Sequence, residues 1–151
     1  MPRLTNGTWV LIADGEKALF LENHGDDDYP FLQVFREEEH GNPPTREQGS
    51  DRPGRYSDGP SVQRSSVQDT DWHRLEKERF AADLAGMLYR QAHRGRFSQI
   101  VLVAAPATLG ELRHHLHAEV RDRVIAEIDK TLTGHPVDQI EKIIVQAMHA
   151  G

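Results

Sequence analysis

Residues 73–113 read HRLEKERFAADLAGMLYRQAHRGRFSQIVLVAAPATLGELR, and this one stretch carries a helix, a strand and the start of a second helix. Leu75, Phe80, Leu84, Met87 and Leu88 recur at helical spacing, while Arg74, Lys77, Glu78 and Arg90 take the remaining directions, so one face is core and the other wet. Gly95 is placed to close that helix. Ile100, Val101, Leu102 and Val103 then run without a polar break, as a strand covered on both faces must. Pro106 ends the strand, and Thr108 with Glu111 has the spacing of a capping box that opens the next helix.

Working outward, Thr8 to Ala13 is almost continuously apolar, Asp14-Gly15 is a hairpin turn signal, and Lys17 to Glu22 returns antiparallel. A third strand is expected over Phe31 to Arg36, with Gln33 and Arg36 marking a partly exposed edge. Toward the C-terminus, Leu109, Leu112, Leu116 and Val120 form a buried stripe, and a short strand is expected over Val124 to Ile128. The last helix is expected from Pro136 to Met148, with Val137, Ile140, Ile144 and Ala147 inward. The order β-β-β-α-β-α-β-α predicts an α/β domain with a ribonuclease H-like mixed sheet, a long loop parting the third strand from the first helix. A chain of 151 residues forms one domain (1–151), which buries roughly two-thirds of its unfolded surface.

Composition narrows the function. Cysteine is absent, which excludes disulfides and thiolate zinc sites. The net charge of -6 argues against a general nucleic-acid coat, since nonspecific affinity rests on clustered Lys and Arg, although a local basic patch is compatible with it. Nine histidines make that charge soft below about pH 6.5. Met1 to Thr8 is polar and has no signal-peptide core, and no run reaches the roughly eighteen apolar residues of a membrane span. The expected site of action is the cytoplasm.

ERFAADLAGML followed by IVLVAAPATLGELR resembles the bacterial family of proteins required for attachment to host cells, which is similar in turn to release-factor-like domains. The resemblance runs from Trp9 to the helix after Pro136. It implies two kinds of partner, a host-attachment component on the one hand and a ribosome or tRNA on the other. Release factors of this kind carry a Gly-Gly-Gln tripeptide on the loop between the third strand and the first helix. Here that position holds His40 to Thr70, rich in Gly, Pro, Ser, Asp and Arg and without apolar period, which reads either as a flexible flap or as an ordered binding loop. Its Gln63 follows Val62 instead of glycine, so the backbone freedom needed to approach an ester is missing. Arg46, Arg52, Arg55 and Arg64 are spaced to meet phosphates, and with Gln63 they form the candidate RNA-binding set. Glu47, Asp51 and Asp58 are the acidic neighbours that fit a merely solvated flap.

Catalytic readings have weaker support. A two-metal nuclease needs converging carboxylates. Asp14 ends the first strand, and Glu76, Glu78, Asp83 and Asp129 are the other candidates, yet the fourth strand ends in Ala104-Ala105, and Asp14 reads first as a turn residue. His114, His115 and His117, with His115 and Glu119 as an i, i+4 pair, are candidate metal ligands that fit better as the polar flank of a helix. Ser61, Ser65 and Ser66 lack a nucleophile elbow, and Gly110 stands alone with no phosphate-cradling glycine loop. The helix start at Thr108 offers free amides to an anion, with Glu111 competing for them. The expectation is a binding protein, not an enzyme, with no catalytic residue, no metal and no cofactor; the primary reading is attachment to host cells and the alternative a ribosome- or tRNA-associated role.

Overall fold

The computed structural model describes residues 3–39 and 66–150. Three strands come first: β1 (Trp9–Ala13), β2 (Lys17–Asn23) and β3 (Leu32–Glu39). Helix α1 (Ser66–His93) leads to β4 (Ile100–Val103), α2 (Pro106–His115), the single turn α3 (Ala118–Arg121), β5 (Val124–Ile128) and α4 (Val137–Ala150). The strands form one mixed five-stranded sheet in the order β3-β2-β1-β4-β5. β1 pairs antiparallel with β2 and β2 with β3, whereas β4 lies parallel to both β1 and β5.

Strand alternation divides the core into two layers. Trp9, Leu11 and Ala13, together with Phe20, Ile100 and Leu102, face α1 and α2. Val10 and Ile12, together with Leu21, Val101 and Val103, face α4. β1 and β4 therefore have no wet face, and all four residues of β4 are fully buried, as the apolar run demanded. α4 supplies Ile140, Ile144 and Met148 from one stripe. Pro136 stands just before this helix, its carbonyl accepting from the amides of Gln139 and Ile140 at 3.1 and 3.0 Å.

The first long helix departs from the expectation at its start and agrees at its end. It opens at Ser66, so Ser66 to Thr70 belong to α1 and not to the loop. Its buried face is Phe80, Ala81, Leu84, Ala85, Leu88 and Ala92. Leu75 is 47% exposed, contrary to its expected place in the stripe. At about 3.6 residues per turn, a residue nine before Leu84 lies on the opposite side of the helix. Gly95 takes φ +71 and ends the helix in a Schellman arrangement, with the Gly95 amide on the Ala92 carbonyl and the Arg96 amide on that of Gln91, both at 2.9 Å.

Two further boundaries move. α2 begins at Pro106, with Ala105 as an N-cap that has no side-chain bond, so Thr108 lies inside the helix and caps nothing. The fixed φ of proline at the first helical position starts the helix three residues earlier. β3 runs on to Glu39, because β2 offers Lys17 to Leu19 as partners for Glu37 to Glu39. It is the exposed edge expected, and it carries a bulge: Phe20 pairs with Arg36 and Leu21 with Val34, leaving Phe35 as the extra residue.

The turn from β2 to β3 is organised by Asn23, which is buried. Its amide donates to the Leu4 carbonyl at 2.7 Å, and its oxygen accepts from the amides of Gly25 at 2.9 Å and Phe31 at 2.8 Å. This satisfies the group in full. Gly25 is obligatory there, since a Cβ would fall 2.1 Å from the Tyr29 carbonyl oxygen.

The phase of α1 is open to test. Leu84→Ala should lower unfolding stability by about 2–5 kcal/mol, whereas Leu75→Ala should change it by no more than about 0.5 kcal/mol. Paired chemical denaturation curves check this, and equal losses would mean that the helix is rotated.

Candidate functional site

In an open α/β sheet the crevice outside the carboxyl ends of the parallel strands, where the chain reverses direction of travel across the sheet, is the natural place for a ligand. Here that point lies between β1 and β4. The crevice is lined by Asp14 and Gly15 from the first hairpin, Lys77 and Glu78 from α1, and Thr108 and Glu111 from α2. The Lys77 side chain lies over Gly15, so closely that a Cβ at that glycine would meet it at 2.9 Å.

Asp14 is the most constrained group in the crevice. One carboxylate oxygen accepts from the backbone amides of Glu16 and Lys17, each at 2.7 Å, which is the side-chain turn expected of Asp before Gly. The other accepts from the Thr133 hydroxyl at 2.7 Å. Partial burial pushes this carboxyl upward, but the bond from Thr133, the two amides and the Lys17 charge outweigh burial and hold it below the usual carboxylate range. A carboxylate committed to three donors fastens the β1–β2 hairpin to the segment leading into α4 and has little capacity left for a metal ion or a proton.

Of the other nuclease candidates among the described residues, Glu78 alone lines the crevice with Asp14. Ala104 and Ala105 follow β4, so no acid stands beside Asp14 from that strand. Glu78 and Glu111 line the crevice, whereas Glu76 pairs with Arg79 at 3.2 Å and Asp83 and Asp129 are exposed elsewhere. Among the described residues no three His or carboxylate side chains are grouped to hold a metal ion. Thr108 and Glu111 both line this crevice, but Thr108 lies inside α2, so the free amides expected at a helix start there belong to the turn that opens at Pro106.

The histidine cluster is taken apart by the backbone. Leu116 is extended and ends α2, so His115 and Glu119 are not an i, i+4 pair on one helix. His117 becomes the N-cap of α3, its Nδ1 accepting from the Glu119 amide at 3.0 Å, and its ring packs on Tyr89 at 4.2 Å. Glu119 meets His93 and Arg123 instead, each at 3.5 Å. His114 and His115 are exposed and touch edge to face.

The candidate RNA-binding residues Arg46, Arg52, Arg55, Gln63 and Arg64, with Ser61 and Ser65, lie outside the described residues; Ser66 opens α1. Thr133 was missed by sequence reasoning. It stands 119 residues from Asp14, and a lone threonine after a strand carries no local sign of such a partner.

Comparison with known proteins places this arrangement. Residues 7–144 match the family described as Bacterial archaeo-eukaryotic release factor family 12, and the chain belongs to that family. It is similar to the crystal structure of an archaeal translation termination factor, aRF1, at 11% identity and a TM-score of 0.47, over 95% of this chain and 39% of that one. A second solved structure, of an archaeal protein, gives 12% identity and a TM-score of 0.41, over 95% of this chain and 38% of that chain. The chain thus spans about two-fifths of the length of these structures. No curated protein matches it. The family match bears out the release-factor side of the expected resemblance and gives no support to attachment to host cells.

The charge on Asp14 has a measurable signature. Because its carboxyl is held below the usual range in the folded chain, its stabilisation is present above the unfolded value of about pH 4 and is lost as pH falls through the folded value. Asp14→Asn should therefore be less stable than the parent at pH 7, and the gap should close in acid below about pH 4. Thermal unfolding of both proteins between pH 2 and 7 measures it; a gap independent of pH would show that charge plays no part.

Proposed function

We propose that this protein is a release-factor-like binding protein that associates with the ribosome or with tRNA and does not itself hydrolyse the peptidyl ester. The observation that carries this reading is the family match over residues 7–144, which runs through the segment between β3 and α1 where release factors present their tripeptide. In this chain that segment holds Arg46, Arg52, Arg55 and Arg64, side chains suited to phosphate, and Gln63 without the preceding glycines. Arginines on an insertion can reach phosphates that an acidic body of net charge -6 repels. A ribosomal partner fits a cytoplasmic site of action. The sheet order β3-β2-β1-β4-β5, with three antiparallel strands before two parallel ones, supports describing the fold as ribonuclease H-like.

A divalent-metal nuclease is the weaker alternative. The engagement of Asp14 by three donors and the alanines after β4 count against it.

Tagged protein should bring ribosomes or tRNA with it from cell lysate. The Arg52→Ala, Arg55→Ala, Arg64→Ala triple variant should bind RNA with a log–log salt slope shallower by about two, the value of three lost phosphate contacts to a single strand. An unchanged slope would remove the segment from the interface. Purified protein should neither cut RNA with magnesium or manganese nor release peptide from peptidyl-tRNA on ribosomes, in gel and release assays. Cleavage abolished by Asp14→Asn would restore the nuclease, and release abolished by Gln63→Ala the hydrolase.

A further inference from the structure

At the opposite end of β1 from Asp14, on the α1 side of the sheet, lies a second concavity of about 520 Å³. Its floor is aromatic. Trp9 is buried and stacks on Phe97 with ring centroids 4.5 Å apart, and Phe35 leans on Trp9 at 4.8 Å and on Phe20 at 6.2 Å. Phe35 is the bulged residue of the edge strand, and it remains 46% exposed. The bulge turns both Phe35 and Arg36 toward this cleft, where a regular strand would have sent one of them to the far face. Met87 and Gln91 of α1 form the opposite wall, and Arg96 closes it.

The polar groups in and beside the cleft are unevenly satisfied. Arg36 is held by Glu38 at 2.6 Å, and Glu22 sits 3.6 Å from His24. Among the described residues Arg96 has no ion pair, and the side-chain amide of Gln91 has no hydrogen-bond partner. Arg90 follows Met87 by three residues, which sets it on adjoining helical surface, Arg94 stands in the turn just after α1, and neither has an ion pair among the described residues. An exposed ring, a free amide for a base edge and three uncommitted guanidinium groups are together the chemistry that holds an unpaired nucleotide.

We propose that this cleft binds an unpaired base of single-stranded RNA, stacked on Phe35 and read at its edge by Gln91, with Arg96 on the adjoining phosphate and Arg90 and Arg94 on the strand beyond. The proposal rests on the RNA-binding reading above but draws on none of residues 40–65. A second copy of the chain adding to the β3 edge is a poorer occupant, because Glu37, Glu38 and Glu39 would meet a like-charged strand.

The two tryptophans are Trp9 and Trp72, so a Trp72→Phe background leaves Trp9, in the cleft floor, as the sole indole reporter. In that background a single-stranded hexaribonucleotide should quench Trp9 emission saturably, and a blunt RNA duplex should not. Phe35→Leu, which keeps apolar volume but has no π-face, should weaken binding about tenfold, the worth of one base–aromatic stack, while Phe35→Tyr should restore it. Arg96→Ala should weaken binding and lower the salt slope by about 0.7. Absence of quenching, equal quenching by duplex, or unaltered binding in Phe35→Leu would overturn the proposal. The Arg52, Arg55, Arg64 triple variant separates the two readings. Oligonucleotide quenching that survives in it keeps the cleft as a site even if ribosome capture fails, and quenching lost in it alone sinks the cleft.

Discussion

The pairing of Trp9–Ala13 with Ile100–Val103 is the constraint on which the rest of the molecule depends. Two parallel strands in the middle of a sheet cannot be joined by a tight turn, so the chain between them must leave the sheet and return, and α1 is the element that does so. Both faces of the pair are buried, which obliges the protein to provide helices on both sides: α1 and α2 on one, α4 on the other. β2 and β3 extend the sheet from one side of this pair and β5 from the other. Polarity then rises outward, and β3 is exposed at most of its positions while β4 has none exposed.

The two concavities lie at opposite ends of β1. At the carboxyl end the backbone of β1 turns toward β2 while that of β4 turns toward α2, and the gap between them is the crevice beside Asp14. The position is the one where α/β folds commonly do chemistry, yet Asp14 is held as a tie. Its carboxylate accepts from its own turn and from Thr133, joining the first hairpin to the approach of α4. A fold-level analogy would make this residue a catalyst, whereas its three hydrogen bonds tie the hairpin in place.

At the other end the bulge at Phe35 does what strand alternation forbids. A strand with regular period 2 shows successive side chains to opposite faces, so Phe35 and Arg36 could not both serve one cleft. One extra residue on an exposed edge permits it, and the cost in lost pairing is small there because the ladder is already half open to water. The aromatic floor of Trp9, Phe20 and Phe97 is rigid because it belongs to the main core, and Phe35 is its exposed margin.

What could be read from the residues alone was whatever is set by near neighbours. The burial of β4, the hairpin at Asp14 and the closure of α1 at Gly95 each follow from periodicity or from the backbone preference of one residue, and each appears in the structure; Leu109, Leu112, Leu116 and Val120 are buried as expected, but the break at Leu116 means that they do not share one helix. Leu75 shows the limit of that reading: an apolar residue within helical range of the core still lies on the wrong side, because phase is set by the sheet that the helix packs against. The release-factor resemblance was visible in the block around α1 and β4 because that block supplies much of the core, while the candidate arginines between β3 and α1 have no periodic pattern from which a structure could be inferred. Tertiary structure alone decided the Asp14–Thr133 bond, the turning of His117 from metal candidate to helix cap, and the packing of Phe35 on Trp9 in a cleft that Arg96 also lines. Each joins residues far apart in the chain or depends on a local break in regular structure, and neither leaves a trace in local spacing because the partner is chosen by the path of the whole sheet.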